Sequence, residues 1–290
     1  MRYFTETAPA TGIVRELVRL AETDAHEGPV YAADEGALYF TTVRRETVAI
    51  KRLELADGTV SVVRADANQA NGMALGLDGA LVVCEQGTFA EPARISRVDR
   101  ATGAAEPLVE EVDGLPLNSP NDVVVRSDGT IWFTDPSYGY LQGFRPKPKR
   151  PDGVYRLDPA SGHASVVSDS LDKPNGLAFS PDECTLYLGD NGAPHHLLAF
   201  DVDGDGRLSR ERVVAVMTPE HPDGIKGDAN GRVLASTEGG IAVLAPDGGR
   251  LGVIELPGAV NFTFRTPDQD VLYVTTDDAV WVAVLDFEEE

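Results

Sequence analysis

Six residues that open repeated phrases of this chain carry the groups best suited to chemistry: Glu27, Asn71, Asn121, Asn175, Asp223 and Asn261. Two are carboxylates and four are amides, so the set offers oxygen donors, two formal negative charges, and no imidazole or thiolate. Glu27 and Asp223 would supply the charge to a bound ion, and Asn121 and Asn175 neutral carbonyl oxygens. Such donors suit a hard divalent cation, Ca2+ ahead of Zn2+, Mn2+ or Mg2+, with water completing the shell. Asn and Asp also begin strands simply because their side chains cap turns. Turn capping accounts poorly for Glu27, and it leaves unexplained why a glycine follows four of the six. No His and Cys cluster has the spacing of a structural zinc site.

These residues can act together only if the chain gathers them, and the phrases they open supply the means. The copies read EGPVYAADEGALYF from Glu27, NGMALGLDGALVVCE from Asn71, NDVVVRSDGTIWFTD from Asn121, NGLAFSPDECTLYLGD from Asn175, DGIKGDANGRVLAST from Asp223 and NFTFRTPDQDVLYVT from Asn261. Each joins an apolar segment to a β-branched or aromatic one, through turns such as Asp78-Gly79, Asp128-Gly129 or Asn230-Gly231, which is a hairpin signal. A spacing of about 40 to 55 residues points to a propeller or a solenoid. Two weaker strands between phrases, RISRVDR then AEPLVEEV or GVYRLDP then HASVVSD, bring each unit to four. The expected fold is therefore all-β, a six-bladed β-propeller with four antiparallel strands per blade, forming one domain over residues 1–290. The sixth unit has only three strands after Asn261. The segment GIVRELVRLAE near the N-terminus would supply its outer strand and close the ring without an open edge.

In such a ring the openers share one face with the loops joining second and third strands. That mouth would include segments 86–94, 136–152 and 191–196. Segment 136–152 is long, Pro-rich and basic, carrying Arg145, Lys147, Lys149 and Arg150. It fits a lid or binding loop as well as a rigid solvated insert. His26, His195, His196 and His221 also fall on mouth loops; adjacent His195 and His196 would point to opposite faces, so at most one of that pair faces the site. The run DVDGDGRLSRER from Asp201 imitates the start of an EF-hand. Arg212 stands where a bidentate Glu is needed, so a turn between outer strands of the fourth blade is expected instead. A Ser-His-Asp mechanism has no support, since no G-x-S-x-G elbow is present.

Composition narrows the function classes. A net charge of -22 argues against a nucleic-acid partner, whose phosphates would be repelled. No signal-peptide pattern and no long apolar run are read, so the expectation is a cytoplasmic protein without a membrane partner. Cys84 and Cys184, both in strand-like runs, are expected as buried free thiols. A closed propeller hides its edges without help, which favours a monomer.

The phrases EGPVY, LNSPNDVVVRSDGTIWFTDPSYG, KPNGLAFSPDECTLYLGDNG and HPDGIKGDANG resemble those of the SMP-30/gluconolactonase family, in the same order, from about residue 24 to 276. The run YGYLQGFRPKP followed by VYRLDPASG is most similar to its gluconolactonase and lactonohydrolase branch. The resemblance implies a divalent-metal-dependent lactonase with Glu27, Asn121, Asn175 and Asp223 as ligands, and with Asp223 also as general base. Ser119 stands where some animal members place an arginine on sugar hydroxyls, so that contact does not transfer. The implied reaction is hydrolysis of a small, aldonolactone-like substrate. The cation would polarise the carbonyl and Asp223 would take a proton from the attacking water. Coordination would keep Asp223 ionised and also weaken it as a base. Asn71, with Glu85 or Tyr138 from adjacent mouth segments, are candidates for binding substrate hydroxyls. Two other readings keep the fold: an organophosphorus-ester hydrolase using the same metal, and a non-catalytic binding platform with a structural ion.

Overall fold

The computed structural model describes residues 13–265 and 270–286. Six four-stranded antiparallel sheets succeed one another along the chain. From the inside outward the first comprises Val30–Ala32, Ala37–Thr41, Ile50–Glu54 and Val60–Arg64, and the second Ala70–Leu75, Leu81–Glu85, Arg94–Val98 and Ala105–Val109. The third is Val123–Val125, Ile131–Asp135, Gly153–Asp158 and His163–Ser168; the fourth is Pro174–Phe179, Thr185–Asp190, His196–Val202 and Leu208–Val216. The fifth is Ile225–Gly227, Val233–Thr237, Gly240–Leu244 and Arg250–Ile254. Each innermost strand touches those of the preceding and following sheets, and the sixth touches the first, so the sheets form a closed six-bladed β-propeller.

Closure follows the expected scheme. The sixth blade holds Ala259–Phe264, Val271–Thr276 and Ala279–Leu285, and Val14–Glu22 adds its outer strand, antiparallel to the last, with Val14 opposite Leu285 and Glu22 opposite Ala279. The innermost hairpins turn on glycines in the left-handed region, as at Gly79 and Gly129. There an i to i+3 bond from the glycine N–H and an aspartate side chain accepting from the residue beyond, Asp78 from Ala80 and Asp128 from Thr130, lock the turn.

The core is divided rather than central. Six buried apolar clusters each lie between two neighbouring blades, for example Trp132 with Leu186 and Leu188 between the third and fourth, or Phe262 and Leu272 with Leu234 and Ile241 between the sixth and fifth. This arrangement leaves the axis free for polar groups. Two features depart from expectation. Cys84 is buried as foreseen, but Cys184 is exposed, because it precedes Thr185–Asp190 on the hairpin turn instead of lying in that strand. A one-turn helix, Tyr138–Leu141, opens the long loop of the third blade. Among the described residues no helix is long and apolar enough to cross a membrane.

Candidate active site

The six openers gather at one end of the axis, and the chain uses two local devices to aim them. In the second, fourth and sixth blades the innermost strand is six residues long and its pairing slips at the opener, between Ala70 and Met73, Pro174 and Leu177, and Ala259 and Asn261. A break of that kind re-aims a side chain. In the first, third and fifth blades the innermost strand has only three residues and starts just after the opener. The glycines after four openers serve the ring itself. A side chain at Gly28 would strike the Asn71 carbonyl, at Gly72 Asn121 and Asp122, at Gly176 the Asp223 carbonyl, and at Gly224 the Asn261 amide. Each glycine therefore lets the next blade's opener approach, and Gly72 and Gly176 donate N–H bonds to the Asn121 and Asp223 carbonyls.

A further set of residues escaped the reading of the sequence. Second-strand hydroxyls stitch the ring from blade to blade. Thr41 Oγ1 donates to the carbonyls of Glu27 and Asn71, Thr134 Oγ1 to that of Asn175 at 2.9 Å, and Thr275 Oγ1 to those of His26 and Asn261. Ser236 Oγ likewise links Gly224 and Val260. The signal was present in the repeat: FT, FTD, AST and VT all put a hydroxyl at one position.

The gathered side chains face a cavity of about 260 Å3 at the mouth, lined by Glu27, Asn71, Asn121, Asn175 and Asp223 among others. Glu27 is 4% exposed; its Oε2 accepts from Asn261 Nδ2 at 2.7 Å and from its neighbour Gly28 N at 3.2 Å. Asn261 in turn has its Oδ1 fixed by Phe262 N at 2.7 Å. Its place is thus beside Glu27, which it orients. The Asn175 side chain donates to Asp223, and Asn71 Nδ2 to the Asn121 carbonyl at 3.2 Å. Desolvation, then repulsion from Asp122, pushes the Glu27 carboxyl up from 4.5 to about 7, against the pull of Asn261, Gly28 and Lys226. Asp223 is driven well above the usual carboxylate range by desolvation and by Glu27, with His26 acting in the opposite sense.

Asp122 is the site group that sequence reasoning passed over. It is 3% exposed, and its Oδ1 accepts from Val123 N at 2.9 Å. Burial raises its carboxyl, and the Lys226 ammonium works against that rise. Three carboxylates therefore crowd the axis, with the Lys226 ammonium opposing the rise of Glu27 and Asp122 and His26 that of Asp223. This is the electrostatic setting a divalent cation satisfies, and the donor types, carboxylate and amide oxygen, fit a hard ion. Among the described residues no three His, Cys, Asp or Glu side chains form a cation cage by themselves. The expected ligand set holds only two such groups, its other members being Asn121 and Asn175.

The remaining expectations divide. Tyr138 lines the cavity, with its hydroxyl donating to the Lys173 carbonyl at 3.3 Å and accepting from Asn191 Nδ2 at 3.1 Å; burial raises its phenol. Glu85 does not line it. Fully buried behind the wall, it pairs with Arg64 Nη1 at 2.9 Å and Arg94 Nε at 2.7 Å and accepts from Asn68, so its carboxylate is spent on joining two blades, not on substrate. Ser119 is buried too and braces the 136–152 loop, donating to the Pro136 carbonyl and accepting from Gly139 N.

In that loop Arg145 is buried as a strut. Its guanidinium donates to the carbonyls of Leu117, Asn118, Thr88 and Glu91, which fixes the loop to the second and third blades. Of the mouth histidines His26 lines the cavity, whereas His195 and His221 stack on each other with ring centres 3.9 Å apart, outside it. The Asp203 turn joins the two outer strands of the fourth blade as a simple hairpin. The segment from Thr42 to Val48 in the first blade also lines the mouth, a loop too short to attract notice in the sequence.

Comparison with known proteins agrees with this geometry. Residues 25–278 match the model of the SMP-30/Gluconolactonase/LRE-like region. A gluconolactonase of Zymomonas mobilis is 32% identical over 79% of this chain and 68% of its own length. The lactonohydrolase oryL of Aspergillus oryzae is 28% identical over 87% of this chain and 66% of its own, so the chain spans about two thirds of these relatives. A solved gluconolactonase structure from Xanthomonas campestris superposes with a TM-score of 0.83 and 36% identity, covering 93% of this chain and 90% of that one. With the ring of openers, their spacing and these matches in hand, the chain belongs to the SMP-30/gluconolactonase family.

Proposed function

We propose that this protein hydrolyses a small lactone of the aldonolactone type, at a site where Glu27, Asn121, Asn175 and Asp223 hold one divalent cation, Ca2+ by the preference of its oxygen donors. The observation that carries this reading is the pair of mutually repelling carboxylates, Glu27 and Asp223, at the wall of one cavity with four asparagines. When bound, the cation supplies positive charge for the oxygen on which negative charge develops. The chain's own groups do the rest. Asp223 takes a proton from water at a carboxylate oxygen while the water oxygen bonds to the acyl carbon. The ring C–O bond then breaks and the ring oxygen receives the proton, leaving a hydroxy acid. Asn71 and the fixed Tyr138–Asn191 pair offer amide and hydroxyl groups to orient substrate hydroxyls. His26, tied to Asp277 at 2.7 Å, stands at the same wall and favours the ionised form of Asp223.

The names of the relatives support a lactone over other esters. The test is a panel of glucono-1,5-lactone, pantolactone and a phosphotriester, assayed after chelation and after return of Ca2+, Mn2+, Zn2+ or Mg2+. Lactone turnover should vanish on chelation and return with at least one ion, and Asp223→Asn should lower kcat by about a thousandfold while the folded state persists. Faster turnover of the phosphotriester than of any lactone, or no turnover of any lactone by the loaded protein, overturns the reading.

A further inference from the structure

The cavity has a polarity that the reaction alone does not require. Carboxylates and amides form its inner wall, while one guanidinium, Arg44, stands at its rim on the loop between the second and third strands of the first blade. The cavity lining holds this one arginine and no lysine, against the carboxylates Glu27 and Asp223. Several arginines elsewhere are neutralised by carboxylates: Arg52 pairs with Glu35 and Glu54, Arg64 and Arg94 with Glu85, Arg100 with Asp34, and Arg126 with Glu183. Among the described residues Arg44 makes no ion pair. Its guanidinium lies instead 4.4 Å from the centre of the Phe144 ring, which follows the helix of the long loop. An aromatic face holds a guanidinium in place without neutralising it and leaves its N–H edge free. Phe144 is itself anchored, since its N–H bonds to the Gly139 carbonyl at 2.9 Å and the neighbouring Arg145 is the buried strut.

We propose that Arg44 selects lactones that carry an anionic group, a carboxylate, sulfonate or phosphate ester, remote from the reacting ester. This rests on the lactone-hydrolase reading above. With the ester at the inner wall, an acid group at the far end of the substrate lies toward the rim and meets the fork of Arg44, which binds planar and tetrahedral oxyanions through paired N–H bonds. Arg44 at the rim thus favours the pose with the ester inward and the acid toward the mouth. Chemistry at the ester is unchanged, with water adding to the acyl carbon and the ring oxygen leaving protonated. Arg44 is a substrate-positioning residue, and its effect belongs in KM more than in kcat.

The test compares kcat/KM for neutral glucono-1,5-lactone, carboxylate-bearing glucaro-1,4-lactone and 6-phosphoglucono-1,5-lactone, in the cation-loaded wild type and in Arg44→Met, Arg44→Glu and Arg44→Lys. The acidic-to-neutral ratio should fall about tenfold or more in Arg44→Met, chiefly through KM, further in Arg44→Glu, and recover in part in Arg44→Lys. The two acidic substrates distinguish a carboxylate from a phosphate site by which ratio moves more. In the wild type the ratio should also shrink with added salt, as an exposed contact requires. A ratio that Arg44→Met leaves unchanged while glucono-1,5-lactone is still hydrolysed overturns this inference alone. Failure of the loaded wild type to hydrolyse any lactone overturns the hydrolase reading and this one with it.

Discussion

Two carboxylates at matching ends of the first blades have opposite surroundings. Glu85 is fully buried, yet two arginines and an amide satisfy it, one arginine from its own blade and one from the blade before. Glu27 is nearly as buried, and its partners are an amide, a backbone N–H and the distant help of Lys226, set against two like charges at Asp122 and Asp223. The same fold can thus neutralise a buried acid when the acid joins blades, and at the axis it leaves the charge in excess. A buried ion pair balances its own charge, whereas the axial cluster leaves like charges together, the setting in which the proposed cation would bind. The wall carboxylate is structural, and the axial ones are those the proposed function employs.

That contrast predicts substitutions of opposite sign. Glu85→Gln leaves the half-buried Arg64 without its carboxylate and Arg94 with Glu110 alone, and should destabilise the protein by about 2–3 kcal/mol. Glu27→Gln removes a repelled charge while keeping an acceptor for Asn261, and should stabilise the chelator-treated protein by about 1–3 kcal/mol, as measured by denaturant unfolding. Destabilisation by both would erase the distinction.

The next largest effect is on pH dependence. Glu27 is raised from 4.5 to about 7 by burial and Asp122, and Asp135 from 3.8 to about 7 by burial, despite two backbone N–H bonds from Asn118 and Ser119 at 2.8 Å. A folded pKa above the unfolded one means that the folded state binds protons more tightly. The stability this confers is complete below about pH 4, declines as pH rises toward 7, and is gone above. The Tm of chelator-treated protein should therefore fall by roughly 5 °C or more between pH 5 and pH 8. A saturating divalent cation should remove the Glu27 share of that fall and leave the Asp135 share. A cation without effect on the slope would place the ion elsewhere.

A smaller effect falls on Asn261, which orients Glu27 and is not itself an expected ligand of the ion. Asn261→Ala should weaken cation affinity about tenfold with little change in kcat at saturating cation, measured by titrating activity against free cation. Loss of kcat at saturation would make Asn261 part of the chemistry instead.

Much of this was legible in the sequence. The repeat fixes blade number, the leftover strand at each end announces closure, and the unequal openers separate carboxylates from amides. What escaped depends on contacts between blades. Glu85 ends a strand near the mouth, but its arginines lie in other strands, so nothing local distinguishes it from a lining acid. Asp122 follows Asn121 in plain view, and only the ring's geometry brings it against Glu27. Arg145 reads as one more basic residue of a long loop until four carbonyls are found around it. Cys184 shares an apolar run with buried neighbours and is exposed because the turn ends one residue later.

The central claim is that the axial carboxylates form a single divalent-cation site. Calorimetric titration of Ca2+ into chelator-stripped wild type, Glu27→Gln and Asp223→Asn tests it most directly. One ion bound per chain in the wild type, with affinity lowered at least a hundredfold in both variants, is the predicted result. Undiminished binding in the variants, or no binding of Ca2+, Mn2+, Zn2+ or Mg2+ by the folded wild type, would contradict it.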